Sequence, residues 1–246
     1  MMRFLGALWW WVLPVRRATA VAQLHAALPD ADPGPVLRHA VGSAAFGYLE
    51  LMAGRWAEWR GLDQVTGGGL CLAGHGGAWD LAMVSFARQV PLTVFVKAPS
   101  NPVARWVLRR LRTLGGTDLQ LLPPAGSMAD AHEALNKGRL VVFVVDQRHN
   151  RGVPVPCFGR PAWTSAGFAV MAWKTRAPLY GTWQRRDPDG RVRGDLERLD
   201  WPIPEDRDEA IAALTAQTQQ WVESKVRRWP ADWWWLHKRW KRPTQE

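Results

Sequence analysis

The sequence feature that most constrains the fold is the apolar run Leu-Val-Val-Phe-Val-Val at residues 140–145. No polar residue alternates with the apolar ones, as it would in a strand with one face in solvent. Such runs are typical of strands in parallel sheets that helices cover on both faces. Shorter strand-like segments, apolar or β-branched, lie at residues 70–73, 92–96, 119–122 and 178–183, with another strand expected near 191–199.

Helix-like segments separate these strands. We predict helices over residues 16–28, 35–53, 79–89, 102–114, 127–137, 165–175 and 206–229. The alternation predicts an α/β fold, a single layered domain with a mostly parallel central sheet flanked by helices and preceded by N-terminal helices. Of the 246 residues, 47% are hydrophobic, which is enough for one core, and no low-complexity linker or internal repeat divides the chain.

Charge and tryptophan content indicate the kind of partner. The chain carries 32 Lys and Arg residues against 22 Asp and Glu, and the net charge of +10 favours an anionic partner. Its aromatic residues are 17 Trp, 7 Phe and 2 Tyr. Nucleic-acid surfaces usually mix Phe, Tyr and Arg, whereas Trp beside Arg and Lys is typical of a membrane–water interface. We therefore expect an anionic membrane surface as partner, and no nucleic acid. Two cysteines, Cys71 and Cys157, make no disulfide framework, which favours a reducing compartment.

An apolar run at residues 4–13 is followed by Arg16 and Arg17. It is shorter than the roughly 18–20 apolar residues that cross a bilayer. The two arginines argue against a secretory signal peptide and suit a segment that lies in the cytoplasmic interface. We expect residues 1–15 to form a short apolar membrane-interface segment and residues 16–246 to form the folded domain. Burial of the apolar run as a first core helix is the alternative.

The first candidate for chemistry is Gly-His-Gly-Gly-Ala-Trp-Asp at residues 74–80, where a predicted strand leads into a helix. Active sites of α/β folds lie at such strand ends. Since His75 and Asp80 are five residues apart, they meet only if His75 precedes the first helical turn. An imidazole held by a carboxylate is a general base of fixed tautomer, and the amides of Gly76 and Gly77 are candidates to hold an oxyanion. The alternative is a glycine-rich turn with an incidental histidine.

Four arginines within eight residues, with no acid among them, form the second candidate: Arg105, Arg109, Arg110 and Arg112. At helical spacing, Arg105, Arg109 and Arg112 share one face. Guanidinium groups match phosphate oxygens, so this face is a candidate clamp for a phosphate or a lipid headgroup. A solvated basic face is the alternative.

Asp146 and Gln147 leave the end of the most apolar strand. The carboxylate can pair with an arginine or position a sugar, or it can make an Asx turn. No His-Glu-x-x-His, Cys-x-x-Cys or clustered histidine set occurs, so no metal site is expected. The densely aromatic and basic segment at residues 229–243 is a membrane-interface belt, a packed terminal cap or a mixture of the two.

Four blocks together resemble one family, the bacterial late acyltransferases of lipid A biosynthesis, which are relatives of the glycerolipid acyltransferases. The first is His-Gly-Gly-Ala-Trp-Asp at residues 75–80, and the second is the arginine-rich helix that ends with Leu-Arg-Thr-Leu-Gly at 111–115. The third is Asp-Gln at 146–147 with Gly-Val-Pro-Val-Pro-Cys-Phe-Gly-Arg-Pro-Ala-Trp-Thr at 152–164. The fourth is Pro-Ala-Asp-Trp-Trp-Trp-Leu-His-Lys-Arg-Trp-Lys-Arg-Pro at 230–243.

The resemblance implies a glycerolipid-acyltransferase-like fold and O-acyl transfer from an acyl thioester to a glycolipid hydroxyl. It implies that His75 is the general base, that Asp80 orients it, and that Arg112 and Asp146 belong to the active site and the substrate-binding region. Together with the arginine cluster and the Asp-Gln pair, we expect the substrate to contact Arg109, Arg112, Asp146 and Gln147. No cofactor is implied, and acyl carrier protein or coenzyme A carries the thioester. We expect a monomer, peripheral or shallowly anchored at the cytoplasmic face of the inner membrane.

The sequence departs from the family pattern in three places. The chain is short before residue 15 and between residues 53 and 70, Cys157 stands where the family has Phe, and Asp80 stands where the lipid A branch commonly has Glu. Two other interpretations therefore stay open. One is transfer to another acceptor, such as a mannosylated phosphatidylinositol or an amino-lipid. The other is a membrane-surface binding protein that has lost activity.

Overall fold

The computed structural model describes residues 1–242. The helices are α1 (Met2–Trp11), α2 (Arg17–Ala27), α3 (Pro33–Met52), α4 (Trp79–Ala87), α5 (Pro102–Arg112), α6 (Met128–Asn136), α7 (Gly167–Thr175) and α8 (Arg207–Arg228). The strands are β1 (Glu58–Arg60), β2 (Gly69–Ala73), β3 (Leu92–Phe95), β4 (Leu119–Leu122), β5 (Leu140–Val144), β6 (Val153–Cys157), β7 (Arg160–Thr164), β8 (Leu179–Arg186) and β9 (Val192–Arg198).

Seven of these strands form the central sheet, in the order β1-β9-β8-β2-β5-β3-β4. All neighbours pair in parallel except β8 and β9, which form an antiparallel hairpin. Leu140 and Val141 of β5 are fully buried, as the apolar run predicts. The α/β fold with a mostly parallel sheet flanked by helices is therefore confirmed.

The register between β2 and β5 sets the position of the site. Ala73, the last residue of β2, pairs with Val144, the last residue of β5. Because the two strands are parallel neighbours, the segments that follow them leave the same edge of the sheet. His75 and Asp146 lie in those segments, two residues beyond each strand.

The sequence did not predict the β6–β7 hairpin. β6 reads Val-Pro-Val-Pro-Cys, and proline cannot donate a ladder hydrogen bond, so this composition argues against a strand. The structure accommodates both prolines because β6 pairs with β7 alone, in a separate two-stranded sheet.

The N-terminal helix α1 is packed on one face and exposed on the other. One face of α1 packs on α3, and a Cβ at Gly6 would lie 2.1 Å from the Arg38 carbonyl oxygen. Trp9 is buried there, and its indole N–H donates to the Val15 carbonyl. The other face is exposed and apolar, and it includes Met1, Phe4, Trp11, Val12, Leu13 and Val15. None of the helices in residues 1–242 has both the length and the apolar character needed to cross a membrane.

The C-terminal segment up to residue 242 packs into the fold. Trp233, Trp235 and Leu236 are buried, and Arg239 is fully buried. The Arg239 guanidinium donates to the Trp163 carbonyl and to the side chains of Thr164 and Gln219. Arg239 therefore belongs to the packed cap and not to an interface belt, since its guanidinium is buried and hydrogen-bonded to neutral groups inside the domain. Pro243, which ends the fourth sequence block, lies outside the described residues.

Candidate active site

The loop between β2 and α4 brings His75 close to the neighbouring strand β8. A Cβ at Gly74 would lie 2.5 Å from the Trp183 ring, and a Cβ at Gly76 would lie 2.7 Å from the Gln184 carbonyl oxygen. These distances are shorter than any real Cβ contact, so the loop approaches β8 this closely only with glycine at both positions. The glycines on both sides of His75 therefore serve the close packing of the backbone.

The carboxylate that holds His75 is Asp146. Its Oδ1 lies 2.9 Å from the His75 Nδ1, and its Oδ2 accepts the His75 backbone N–H at 2.7 Å. Oδ2 also accepts the indole N–H of Trp233 at 2.8 Å. Asp146 is only 2% exposed. The ring and the backbone of His75 are thus fixed by one buried side chain from the adjacent strand.

The expectation that Asp80 makes this contact is corrected. Asp80 lies in the first turn of α4, and its Oδ1 accepts the Arg112 Nε–H at 2.7 Å. Its Oδ2 accepts the Tyr48 hydroxyl at 2.5 Å. Both oxygens are directed to α5 and α3, so Asp80 binds no imidazole nitrogen in the described structure. Asp80 instead fixes Arg112 at the same site.

Tyr48 was not predicted from the sequence. It is a single tyrosine within the mostly apolar helix α3, and nothing in that helix indicates a polar partner. In the structure, burial and the neighbouring Asp80 charge raise the pKa of Tyr48, so the hydroxyl keeps its proton and donates. Asp80 is buried, and Tyr48 and Arg112 supply the hydrogen bonds that its carboxylate needs there.

The ionisation of His75 and Asp146 is coupled. Burial disfavours the imidazolium, but the charge and hydrogen bond of Asp146 outweigh it and raise the pKa of His75 above its ordinary value. Burial alone would raise the pKa of Asp146, whereas the contacts with His75 and Trp233 lower it to about 2. Asp146 therefore stays a carboxylate near neutral pH and stabilises a protonated His75.

A cleft of about 380 Å³ opens beside His75. Its polar lining includes His75, Asp80, Arg112, Gln147, Arg148 and His149, and its apolar lining includes Met83, Val94, Phe95, Val96, Phe143 and Phe168. A smaller cavity of about 70 Å³ also touches His75 and is lined mainly by apolar side chains, among them Met83, Phe86, Val94, Val142 and Val144. The histidine thus lies between a large mixed cleft and a small apolar cavity.

The structure brings together most, but not all, of the residues that the sequence singled out. The Gln147 side-chain amide nitrogen lies 3.2 Å from the His75 Nε2. Arg109 is exposed and lies outside the lining of the cleft, because it points from the outer side of α5.

An oxyanion role for Gly76 and Gly77 is not supported. The Gly76 N–H donates to the Gly74 carbonyl, and the Gly77 N–H donates to the Asp232 carbonyl.

The C-terminal segment holds the His75 loop from the other side. The Trp234 N–H donates to the His75 carbonyl at 3.0 Å, and Gly76 bridges Trp233 in an antiparallel contact. The rings of Trp79 and Trp234 meet edge to face, with centroids 5.0 Å apart. The sequence signal was the density of tryptophan at residues 229–240, but no local spacing tells which group each ring contacts.

His237 belongs to this segment but does not act as a second base. Its Nε2 accepts the Arg148 backbone N–H at 2.8 Å. Burial lowers the pKa of His237 to about 4, so the ring is neutral near neutral pH and its accepting nitrogen is occupied. His237 therefore fixes the chain just after Gln147.

Most of the chain matches the model of a known protein family. The family model for bacterial lipid A biosynthesis acyltransferase matches residues 45–242, which includes His75, Arg112 and Asp146. No curated protein matches the sequence significantly. Among solved structures, the 1-acyl-sn-glycerophosphate (LPA) acyltransferase PlsC from Thermotoga maritima is similar, with 15% sequence identity, coverage of 95% of this chain and 96% of that chain, and a TM-score of 0.44. Because the family model covers most of the chain, the protein belongs to the bacterial lipid A biosynthesis acyltransferase family and is an acyltransferase.

Proposed function

We propose that the chain transfers a fatty acyl group from an acyl thioester to a hydroxyl of a glycolipid, with His75 as the general base. The observation that carries this proposal is the contact between the His75 Nδ1 and Asp146. It fixes the tautomer with the proton on Nδ1, so Nε2 is the nitrogen that takes a proton. His75 lines the cleft, and the Gln147 amide nitrogen, 3.2 Å from Nε2, gives up this position to the acceptor hydroxyl in the proposed reaction.

The proposed reaction is a simple acyl transfer through a tetrahedral intermediate. As the acceptor oxygen attacks the thioester carbonyl carbon, its proton moves to the His75 Nε2, and the imidazolium is stabilised by Asp146. The tetrahedral intermediate then collapses, the carbon–sulfur bond breaks, and the imidazolium gives its proton to the leaving thiolate. The products are an ester and a free thiol, and His75 is neutral again. No metal or cofactor takes part in this scheme.

We assign Arg112 one of two roles: it binds the acceptor lipid, or it stabilises the negative charge that develops during the reaction. Its Nε is used by Asp80, while neither Nη has a hydrogen-bond partner among the described residues. The side chain lines the cleft, so the Nη groups are available to a phosphate or an oxyanion. Asp80 thus acts by positioning Arg112, and Gln147 adds an amide donor near the His75 ring.

The cavities suit a substrate with two kinds of surface. The polar side of the cleft matches a sugar or phosphate, and the small apolar cavity against His75 matches part of an acyl chain. The net charge of +10 favours an acidic acyl carrier protein as donor and an anionic leaflet as the surface. We place the chain as a peripheral, monomeric enzyme at the cytoplasmic face of the inner membrane.

The test is lipid mass spectrometry of cells that carry the wild-type chain, the His75→Ala variant or no copy of the gene. The proposal predicts that one glycolipid gains an ester-linked acyl chain only with the wild-type chain. If the new acyl group appears on a lipid without sugar, the glycolipid acceptor is wrong. If the His75→Ala variant supports the same acylation, the base is wrong.

A further inference from the structure

The helix α5 has apolar side chains on two sides. Leu111 faces the protein and is buried. Val103, Trp106 and Val107 lie on another side and are exposed by 67%, 57% and 38%. Their spacing of three and four residues places them on one face of the helix. A surface helix of a soluble domain normally presents polar residues there, so this outer face is unusual.

All charged residues of α5 are arginines. No acid occurs between Asp80 and Asp118, whereas Arg105, Arg109 and Arg110 lie exposed on α5. None of these three arginines forms an ion pair within residues 1–242, although Arg110 lies over the Trp106 ring at 5.9 Å. Exposed Val and Trp flanked by unpaired arginines are the composition of a helix that lies in a membrane interface.

The helix α5 also contributes a residue to the cleft. Arg112, in the last turn of the helix, lines the cleft and binds Asp80. Trp106 and Val107 precede Arg112 by six and five residues, so this part of the outer face lies within about two turns, roughly 9 Å along the helix axis, of a side chain that reaches the site. A lipid surface that contacts α5 would bring its headgroups to the level of Arg112.

We propose that the outer face of α5, formed by Val103, Trp106 and Val107 and flanked by the exposed Arg109 and Arg110, inserts into the headgroup region of an anionic phospholipid leaflet. This inference rests on the peripheral association proposed above and assigns it a surface. The occupant is a leaflet because the apolar residues supply shallow insertion while the arginines match phosphate groups on either side. Arg109, which lies outside the cleft, acquires a role at the membrane.

A label on this face tests insertion directly. Cys71 and Cys157 are fully buried, so a thiol introduced on the surface takes an environment-sensitive fluorophore selectively. We expect the labelled Val103→Cys variant to show a blue-shifted, brighter emission with phosphatidylglycerol vesicles. The labelled Arg198→Cys variant, at an exposed position on β9, is the control and should not change. If the chain cosediments with these vesicles while the label at position 103 stays in water, the inference is overturned.

A matched pair of charge variants tests the arginines. Arg109→Ser/Arg110→Ser and Arg198→Ser/Arg207→Ser each remove two exposed charges, but only the first pair lies on α5. We expect the first to weaken binding to phosphatidylglycerol vesicles by about tenfold or more, because each basic residue at an anionic surface contributes appreciably to affinity. The second should bind within about twofold of wild type. Equal loss in both pairs would point to net charge alone and refute the assigned surface. Failure of the wild-type chain to bind any vesicle would instead refute the peripheral association itself.

Discussion

The indole N–H of Trp233 donates to the Asp146 Oδ2 at 2.8 Å, the same oxygen that accepts the His75 backbone N–H. The other oxygen of Asp146 faces the His75 Nδ1. The end of the chain therefore helps to fix the carboxylate that fixes the proposed base. This contact gives one tryptophan of the C-terminal segment a role inside the domain, at the site itself.

The His75→Ala variant should lose acyl transfer by a factor of about 10²–10⁴, the usual contribution of general-base catalysis. The matched control is His25→Ala, an exposed histidine in the last turn of α2. Thiol release from an acyl thioester in the presence of acceptor lipid measures both. Near-normal turnover by a folded His75→Ala variant would remove His75 from the mechanism.

The Trp233→Phe variant should keep the aromatic packing but lose the indole donor to Asp146. We expect the free energy of unfolding to fall by about 1.5–3 kcal/mol, the range for a hydrogen bond to a charged group. Because Asp146 is then held less firmly, kcat should fall while KM stays the same. Trp235→Phe is the control, since its indole donates to the Pro230 carbonyl and not to the site. An equal loss of kcat in both variants would indicate general damage to the segment.

Acid should destabilise the protein partly through Asp146. The pKa of Asp146 is lowered from 3.8 to about 2 in the folded state, so its contribution is present above about pH 4 and is lost as the pH falls towards 2. This shift corresponds to about 2 kcal/mol. Urea unfolding at several pH values should show a smaller loss over this range in Asp146→Asn than in wild type. Parallel curves would mean that Asp146 is not the group responsible.

The exposed face of α1 should contribute to membrane attachment independently of α5. Because the other face packs on α3, deletion of residues 1–14 would disturb the fold, and point substitutions are the cleaner test. Phe4→Ser/Trp11→Ser should leave the unfolding temperature nearly unchanged and make the protein easier to extract from membranes with salt, since less apolar surface is inserted. Extraction identical to wild type would show that this face stays in water.

Six of the seven strands of the central sheet, and the edge that carries the site, could be predicted from the sequence, because apolar runs and strand ends are local patterns. The short edge strand β1 has no such pattern and was missed. The choice of carboxylate could not be predicted. His75 and Asp80 are near in sequence, but the register of β2 beside β5 brings Asp146 to the imidazole, and Arg112 with Tyr48 takes Asp80. Such pairings depend on tertiary packing that no spacing encodes.

The same limit applies to the membrane surface. The arginines of α5 were evident in the sequence, but the apolar residues between them have the composition of an ordinary core helix. Only the packed structure shows that Val103 and Trp106 are exposed while Leu111 is buried. The C-terminal tryptophans show the opposite case. Their composition is typical of a membrane interface, but in the structure they pack against the core.

The most direct test of the central claim, that Asp146 orients His75 and raises its pKa, is the pH dependence of acyl transfer by wild type, Asp146→Asn and Asp80→Asn. Since the base must be neutral, the wild-type rate should rise with pH through a midpoint above 6.5, the ordinary pKa of histidine. Asp146→Asn should be slower and should move this midpoint to lower pH, because the charge that raises the pKa of His75 is gone. Asp80→Asn should chiefly raise KM through a misplaced Arg112. If instead Asp80→Asn moves the midpoint further and Asp146→Asn leaves it in place, Asp80 is the carboxylate that serves His75 and the account is contradicted.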